Sequence, residues 1–235
     1  MSMNVRPRDL ADFYALLAEL ESVLGGARCL KDCNGRMSWP SRGIYFFREP
    51  GEFRSDSGEG PRVVRVGTHA LKAGSRTRLW GRLSNHRGTQ SLHGNHRGSI
   101  FRLIVGAAIM RRDGLDYPTW GSGNSAPRPI RESEVPLEIR VSNTIGEMPF
   151  LWLAIEDEPG PSSLRGYVER NSIALLSDFN RDPIDPPSHG WLGHHSDRGR
   201  VRASGLWNQN HVDEAYDPEF LAVLKRLIDD MRSQT

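Results

Sequence analysis

Long apolar runs and cysteines are scarce in this 235-residue sequence, and each scarcity excludes a class of protein. No apolar segment approaches the roughly 20 residues that a membrane-spanning helix needs. The first residues lack the apolar core of a signal peptide, so we expect a cytoplasmic protein without a membrane partner. The only cysteines are Cys29 and Cys33. Without an export signal, free thiols are favoured over a disulfide, and no further ligands nearby suggest a zinc site.

Acidic residues are missing from one long stretch, residues 62–112, although the whole chain has a net charge of only +2. The cationic and histidine side chains of the stretch are Arg62, Arg65, His69, Lys72, Arg76, Arg78, Arg82, His86, Arg87, His93, His96, Arg97, Arg102, Arg111 and Arg112. Such a run predicts a positive field suited to a polyanion. The alternative is an ordinary solvated surface in an arginine-rich sequence, but composition alone does not explain the missing acids.

Two short strand-like runs lie near the start of this stretch. Residues 43–47 (GIYFF) and 62–67 (RVVRVG) flank a polar, glycine-rich connection, which predicts a β-hairpin. A periodic segment that begins near Arg76 predicts a helix, in which Arg82 and His86 are four positions apart and share one face. We expect this hairpin and helix to hold a phosphodiester.

The remaining pattern predicts further helices and strands around the hairpin. Helices are predicted over residues 7–24 and 99–112, from Ser162 or Ser163 to Leu176, and after a capping Asp217. A half-exposed strand is predicted over 137–141 and a central strand over 148–155, with a surface insertion over 113–133. The fold class is therefore α+β, with a small mixed or antiparallel sheet flanked by helices. We expect a helical extension (1–40), a central domain with an insertion near 113–135 (41–180), and a polar loop region with a packing helix (181–235).

The loop at residues 94–98 is open to two interpretations. Its sequence Gly-Asn-His-Arg-Gly can bring backbone N–H groups, His96 and Arg97 close to a phosphate. The same composition is equally typical of an ordinary loop.

These features together resemble the GIY-YIG nuclease superfamily. The resemblance rests on Gly43-Ile44-Tyr45, on a second strand that ends at Gly67, and on Arg82 and His86 in an Arg-Leu-x-x-His helix. A later helical Glu169, followed by an asparagine, extends it over residues 42–180. It implies a GIY-YIG-like nuclease domain that hydrolyses DNA with one Mg²⁺ or Mn²⁺ ion, as in restriction, defence or repair. It does not determine the strand preference or the oligomeric state.

The resemblance also implies a role for each matching residue. Tyr45 would lie beside the attacking water as the general base, and His86 would help to handle the proton. Arg82 would contact the scissile phosphate, and Glu169 would be the single carboxylate ligand of the metal. Asn180 would be the helper asparagine, with Asn208 and Asn210 as competing candidates.

The sequence departs from the family pattern in its second motif, where Arg65 replaces a tyrosine. The basic residue that usually follows this motif is displaced, so that His69 or Lys72 would have to serve. The alternative function is therefore a catalytically inactive module that binds nucleic acid. The residues expected to contact nucleic acid are Arg65, Lys72, Arg76, Arg78, Arg87, His96 and Arg97.

Overall fold

A four-stranded antiparallel sheet organises the fold in the computed structural model, which describes residues 5–234. The strands are β1 (Arg28–Cys29), β2 (Gly43–Phe53), β3 (Pro61–Gly67) and β4 (Pro149–Ala154), in the spatial order β1-β4-β2-β3. Tyr45 of β2 lies opposite Gly67 of β3 on one side and opposite Trp152 of β4 on the other. The predicted hairpin and the predicted central strand are both confirmed.

Seven α-helices surround the sheet within residues 5–234. They are α1 (Arg6–Leu24), α2 (Leu79–Arg87), α3 (Ile100–Asp113), α4 (Arg128–Gly146), α5 (Leu164–Leu176), α6 (Gly199–Ser204) and α7 (Phe220–Arg232). Short 3₁₀ turns occupy Leu30–Asp32, His96–Gly98 and Leu192–His195. The predicted α+β class is confirmed. None of the helices in this part of the chain has the length and apolarity needed to cross a bilayer.

The sheet separates two hydrophobic cores. Successive side chains of a strand point to opposite faces, so Ile44 and Phe46 pack with α1, α5 and α7, while Tyr45 and Phe47 pack with α2, α3 and α4. Because β2 is buried on both faces, its first residues form a continuous apolar run. Tyr45 therefore points into the core on the side of α2.

Two of the predicted secondary-structure assignments are wrong. Residues 137–141 belong to helix α4 and form no strand. Leu137, Val141 and Ile145 are buried and lie four positions apart, so the helical period governs a segment that alternates only over five residues. The surface insertion predicted over 113–133 ends early, because α4 begins at Arg128 with a proline in its first turn.

Two predicted helix starts are displaced toward the C-terminus. Helix α2 begins at Leu79 rather than near Arg76. Helix α7 begins at Phe220, and Asp217 caps the preceding turn by accepting a hydrogen bond from the N–H of Glu219 at 3.1 Å. The division of the chain into three parts stays a prediction.

Candidate active site

Three of the predicted site residues line one cleft, although each belongs to a different element. Arg65 lies on β3, Arg82 on α2 and Glu169 on α5. The cleft has a volume of about 240 Å³. Its other lining residues are Leu71, Ile100, Ile104, Ile173 and the continuous segment Trp207, Asn208, Gln209, Asn210 and His211.

Glu169 supplies the negative charge of this cleft. Helix α5 begins after Ser163, whose hydroxyl accepts a hydrogen bond from the N–H of Gly166, and this start places Glu169 in the second turn. The Oε1 atom accepts a hydrogen bond from the N–H of Thr68 at 3.1 Å, whereas Oε2 accepts none from residues 5–234. Burial raises the pKa of Glu169, and the positive charge of Arg65 opposes that rise. One carboxylate oxygen is therefore left free for a cation.

Arg65 is a fixed cation next to this carboxylate. Its side chain is only 6% exposed, lies 4.6 Å from the ring centre of Phe101, and donates a hydrogen bond to the carbonyl of Trp207. Burial lowers its pKa, and the nearby Tyr45 and Glu169 oppose that effect. The Nε atom of Arg65 is buried and has no partner among the described residues. The guanidinium thus lies at the wall of the cleft with one buried donor unpaired.

Arg82 is held much more loosely than Arg65. Its Nη1 atom is 3.5 Å from the carbonyl oxygen of Gly98, which is the outer limit of a hydrogen bond. Its Nε atom is buried and unpaired within residues 5–234. This arginine can therefore turn toward an anion without losing a strong bond.

Tyr45 and His86 lie beneath the cleft rather than in its wall. Both are fully buried, and the Tyr45 hydroxyl is 2.8 Å from Nε2 of His86. The Nδ1 atom of His86 is 2.7 Å from Oγ of Ser99. Burial, followed by the charge of Arg82, holds the pKa of His86 well below its usual value, so this imidazole is neutral at pH 7. The three side chains form one buried hydrogen-bonded chain.

Gly67, the glycine that ends β3, is required by the position of the Tyr45 ring. A Cβ atom at Gly67 would lie 2.6 Å from the Tyr45 hydroxyl oxygen, which is closer than side chains can approach. Any other residue would displace the Tyr45 ring. The glycine at the end of β3 is therefore explained by its direct contact with Tyr45 across the hairpin.

His69 is fixed in one neutral form beside α5. Its Nδ1–H donates to the carbonyl of Thr77 at 2.9 Å, and its buried Nε2 has no partner among the described residues. Burial lowers the pKa of His69 to about 4, and the charge of Arg165 adds to this effect. Arg165 also donates to the His69 carbonyl at 2.5 Å, which ties the loop after β3 to α5. His69 does not line the cleft itself.

Much of the acid-free stretch is buried scaffold. Arg97 binds Glu134 through two hydrogen bonds of 2.6 and 2.8 Å, and both side chains are at most 3% exposed. Similarly, Arg102 pairs with Glu138, and Arg62 pairs with Glu52. His96 is also buried, with its ring stacked on Trp120 at 3.8 Å and bonded to Glu138.

The positive field at the surface is therefore smaller than the sequence indicates, because acidic residues from outside residues 62–112 neutralise several of these arginines. His96 and Arg97 have their polar groups engaged inside the protein and do not face the cleft. The cations of the stretch that stay exposed are Lys72, Arg76 and Arg78 in the loop before α2, and Arg111 and Arg112 at the end of α3. Arg87, at the end of α2, is half-buried.

The asparagine expected from the resemblance is not at the cleft. Asn180 is exposed and has a positive φ of 53° beyond the end of α5. Asn208 and Asn210 line the cleft instead. Asn208 accepts from the N–H of Val66 at 3.1 Å and donates to its carbonyl at 2.8 Å, as a neighbouring strand would. Sequence reasoning kept both asparagines as candidates but missed His211, for which the polar segment around it gives no distinct signal.

A single hard cation suits the donors of the cleft. Within residues 5–234, no three His, Cys, Asp or Glu side chains lie close enough together to share a metal ion. Glu169, Gln209 and Asn210 all line the cleft, and their side chains carry oxygen atoms of the kind that Mg²⁺ and Mn²⁺ accept. Mg²⁺ usually keeps several waters and is commonly bound by one or two carboxylates together with substrate phosphates.

A comparison with protein families matches this fold and site. The family model described as the GIY-YIG domain matches residues 4–234. The chain therefore belongs to the GIY-YIG domain family, which generally comprises endonucleases. Its open four-stranded sheet with flanking helices is consistent with that fold. No curated protein and no solved structure matched the chain.

Proposed function

We propose that this protein is a metal-dependent endonuclease that hydrolyses DNA phosphodiester bonds. The observation that carries the proposal is the convergence of Arg65, Arg82 and Glu169 from three elements of a GIY-YIG domain on one cleft. Two cations and one partly free carboxylate are the groups that phosphate binding and single-ion chemistry require. The exposed Lys72, Arg76 and Arg78 would extend this field along the DNA backbone.

The two arginines would act on the phosphate. Arg82, which is loosely held, would turn toward the scissile phosphate and stabilise the charge that grows on its oxygens. Arg65, which is fixed by Trp207, would supply a second, preorganised positive charge. Glu169 would hold the divalent ion through its free oxygen, and a bound ion supplies electrostatic stabilisation of the leaving oxygen.

The buried chain below the cleft would move the proton. The attacking water would give its proton to the Tyr45 oxygen as the Tyr45 hydroxyl proton passes to Nε2 of neutral His86. In this tautomer, Nδ1–H of His86 donates to Ser99. The water oxygen bonds to phosphorus, and the bond to the leaving oxygen breaks.

A second candidate function is nucleic-acid binding without cleavage. It is favoured by the complete burial of Tyr45, which places the proposed proton acceptor beneath the cleft, and by Arg65 in the second motif. The two functions share the same basic surface and differ only in whether a phosphodiester bond is broken.

Incubation of the purified protein with plasmid, single-stranded DNA and RNA, with Mg²⁺, Mn²⁺ or EDTA, separates the two candidates. We expect metal-dependent cutting of DNA, and losses of about 10²–10³-fold in rate for Glu169→Gln and Arg82→Ala. Glu132→Gln and Arg128→Ala alter an exposed ion pair on α4 and serve as matched controls. Salt-dependent binding with no cutting under any condition would establish the binding module. Equal cutting by Glu169→Gln and the wild type would refute the assigned roles.

A further inference from the structure

A second and larger cavity opens beside the catalytic cleft. Its volume is about 650 Å³, and it lies along the first turns of α5. Leu71, Glu169 and His211 line both the cleft and this cavity, so the two spaces adjoin at these three side chains. A group attached to a phosphate in the cleft therefore lies beside this cavity.

The walls of this cavity suit a flat ring with polar edges. Leu71, Leu164 and Tyr167 provide apolar and aromatic surface, and Leu71 is 36% exposed despite its size. Ser162 and Arg170 add polar groups, and the Arg170 side chain is 58% exposed while it pairs with Glu214. The volume lies within the range of small-ligand sites. Unpaired nucleobases are recognised by this combination of apolar or aromatic walls and polar edges.

We propose that this cavity binds the base of an unpaired nucleotide that adjoins the scissile phosphate. The inference rests on the proposed function for the identity of the substrate, because the cavity adjoins the cleft and a base in it would lie next to that phosphate. A paired base stays stacked in its duplex and enters a side cavity only after extrusion, which is least costly when the base is already unpaired. The protein therefore selects DNA with an unpaired nucleotide at the cut.

The binding test uses a duplex with one unpaired 2-aminopurine, in EDTA so that no cleavage occurs. We expect the wild type to change the fluorescence of the probe and to bind this duplex about tenfold or more tightly than the fully paired one. Ser162 is exposed at the cavity, so Ser162→Trp fills the space with little risk to folding. This variant should lose the tenfold preference, whereas Ser125→Trp, on an exposed loop before α4, should keep it.

The aromatic wall gives a second, independent test. Tyr167→Ala should reduce the preference for the unpaired base, and Tyr167→Phe should retain it, because the phenyl ring persists without the hydroxyl that donates to Asp217. Equal wild-type affinity for the bulged and paired duplexes would overturn the inference, as would an undiminished preference in Ser162→Trp. Preferential binding without cutting in Mg²⁺ would refute the nuclease function alone. Metal-dependent cutting with no preference would refute the base pocket alone.

Discussion

The ion pair between Arg102 and Glu138 tests whether the acid-free stretch serves as scaffold or as DNA surface. Arg102 is fully buried and donates to the Glu138 carboxylate, with Nε at 2.9 Å from Oε2. It also donates to the His86 carbonyl at 2.8 Å and to the Ser142 hydroxyl at 3.0 Å. These bonds join α3 to α4 and to the end of α2. The pair therefore supports the helix that carries Arg82.

We expect Glu138→Leu to lower the free energy of unfolding by about 3–5 kcal/mol, because it leaves a buried guanidinium without its counter-ion. In a chain of this size the loss corresponds to a fall in Tm of roughly 6–20 °C. The double variant Arg102→Met with Glu138→Leu should recover much of this loss, since it removes both charges together. Glu132→Leu, in an exposed pair whose side chains are 82% and 58% exposed, should cost less than about 1 kcal/mol.

Thermal and urea unfolding measure the stability of these variants, and fluorescence anisotropy with labelled DNA measures affinity well below each Tm. The scaffold interpretation expects the double variant to bind DNA nearly as well as the wild type, while Arg82→Ala binds more weakly. The reasoning is refuted if Glu138→Leu unfolds at the wild-type temperature. It is also refuted if the folded double variant loses as much DNA affinity as Arg82→Ala.

Three further predictions follow from the contacts around the cleft. Gly67→Ala should cost about 1–3 kcal/mol of stability and at least tenfold in cleavage rate, because its methyl group would displace Tyr45. Unfolding and kinetic measurements check this, and Gly81→Ala, whose added Cβ meets open space, should show neither loss. The pKa of His69 is about 4 in the folded chain and 6.5 in the unfolded chain, so the unfolded state binds the proton more tightly. The free energy of unfolding should therefore fall by about 3 kcal/mol as the pH drops from 6.5 to 4. Unfolding across this range should give a shallower dependence for His69→Asn, and an identical slope would contradict the assignment. Burial raises the pKa of Glu169, so Mg²⁺ affinity measured by calorimetry should already weaken before the pH is lowered to 4.5. Glu169→Gln should abolish Mg²⁺ binding, and unchanged binding by this variant would contradict the assignment of Glu169 as the metal ligand.

The sheet and most helices could be predicted because their signals are local. The apolar run at 43–47 and the central strand at 148–155 are buried on both faces, and such strands need no long-range information to be recognised. The short β1 and α6 were not predicted, and among the longer elements helix α4 was misassigned, because Leu137 to Val141 fits both a strand and a helix over five residues. Only the longer repeat through Ile145 favours the helix.

The charges of the site could not be predicted in the same way. Arg97 and Arg102 are neutralised by Glu134 and Glu138, which lie 37 and 36 positions further along the chain. A window of sequence reports which cations are present but not which of them find a buried partner. The sequence could therefore name Arg82 and Glu169 as candidates, but the extent of the basic surface depended on the packing of α4.

The segment that completes the cleft explains why Arg65 stands where the family pattern has tyrosine. Residues 205–208 follow the free edge of β3, where the N–H of Trp207 donates to the Val64 carbonyl at 2.7 Å and Asn208 pairs with Val66. Arg65 donates to the carbonyl of Trp207 between these two contacts. A tyrosine hydroxyl could make one such bond but would bring no positive charge, whereas arginine binds the segment and keeps a cation beside Glu169. Arg65 therefore helps to hold the segment that brings Asn210 and His211 to the cleft.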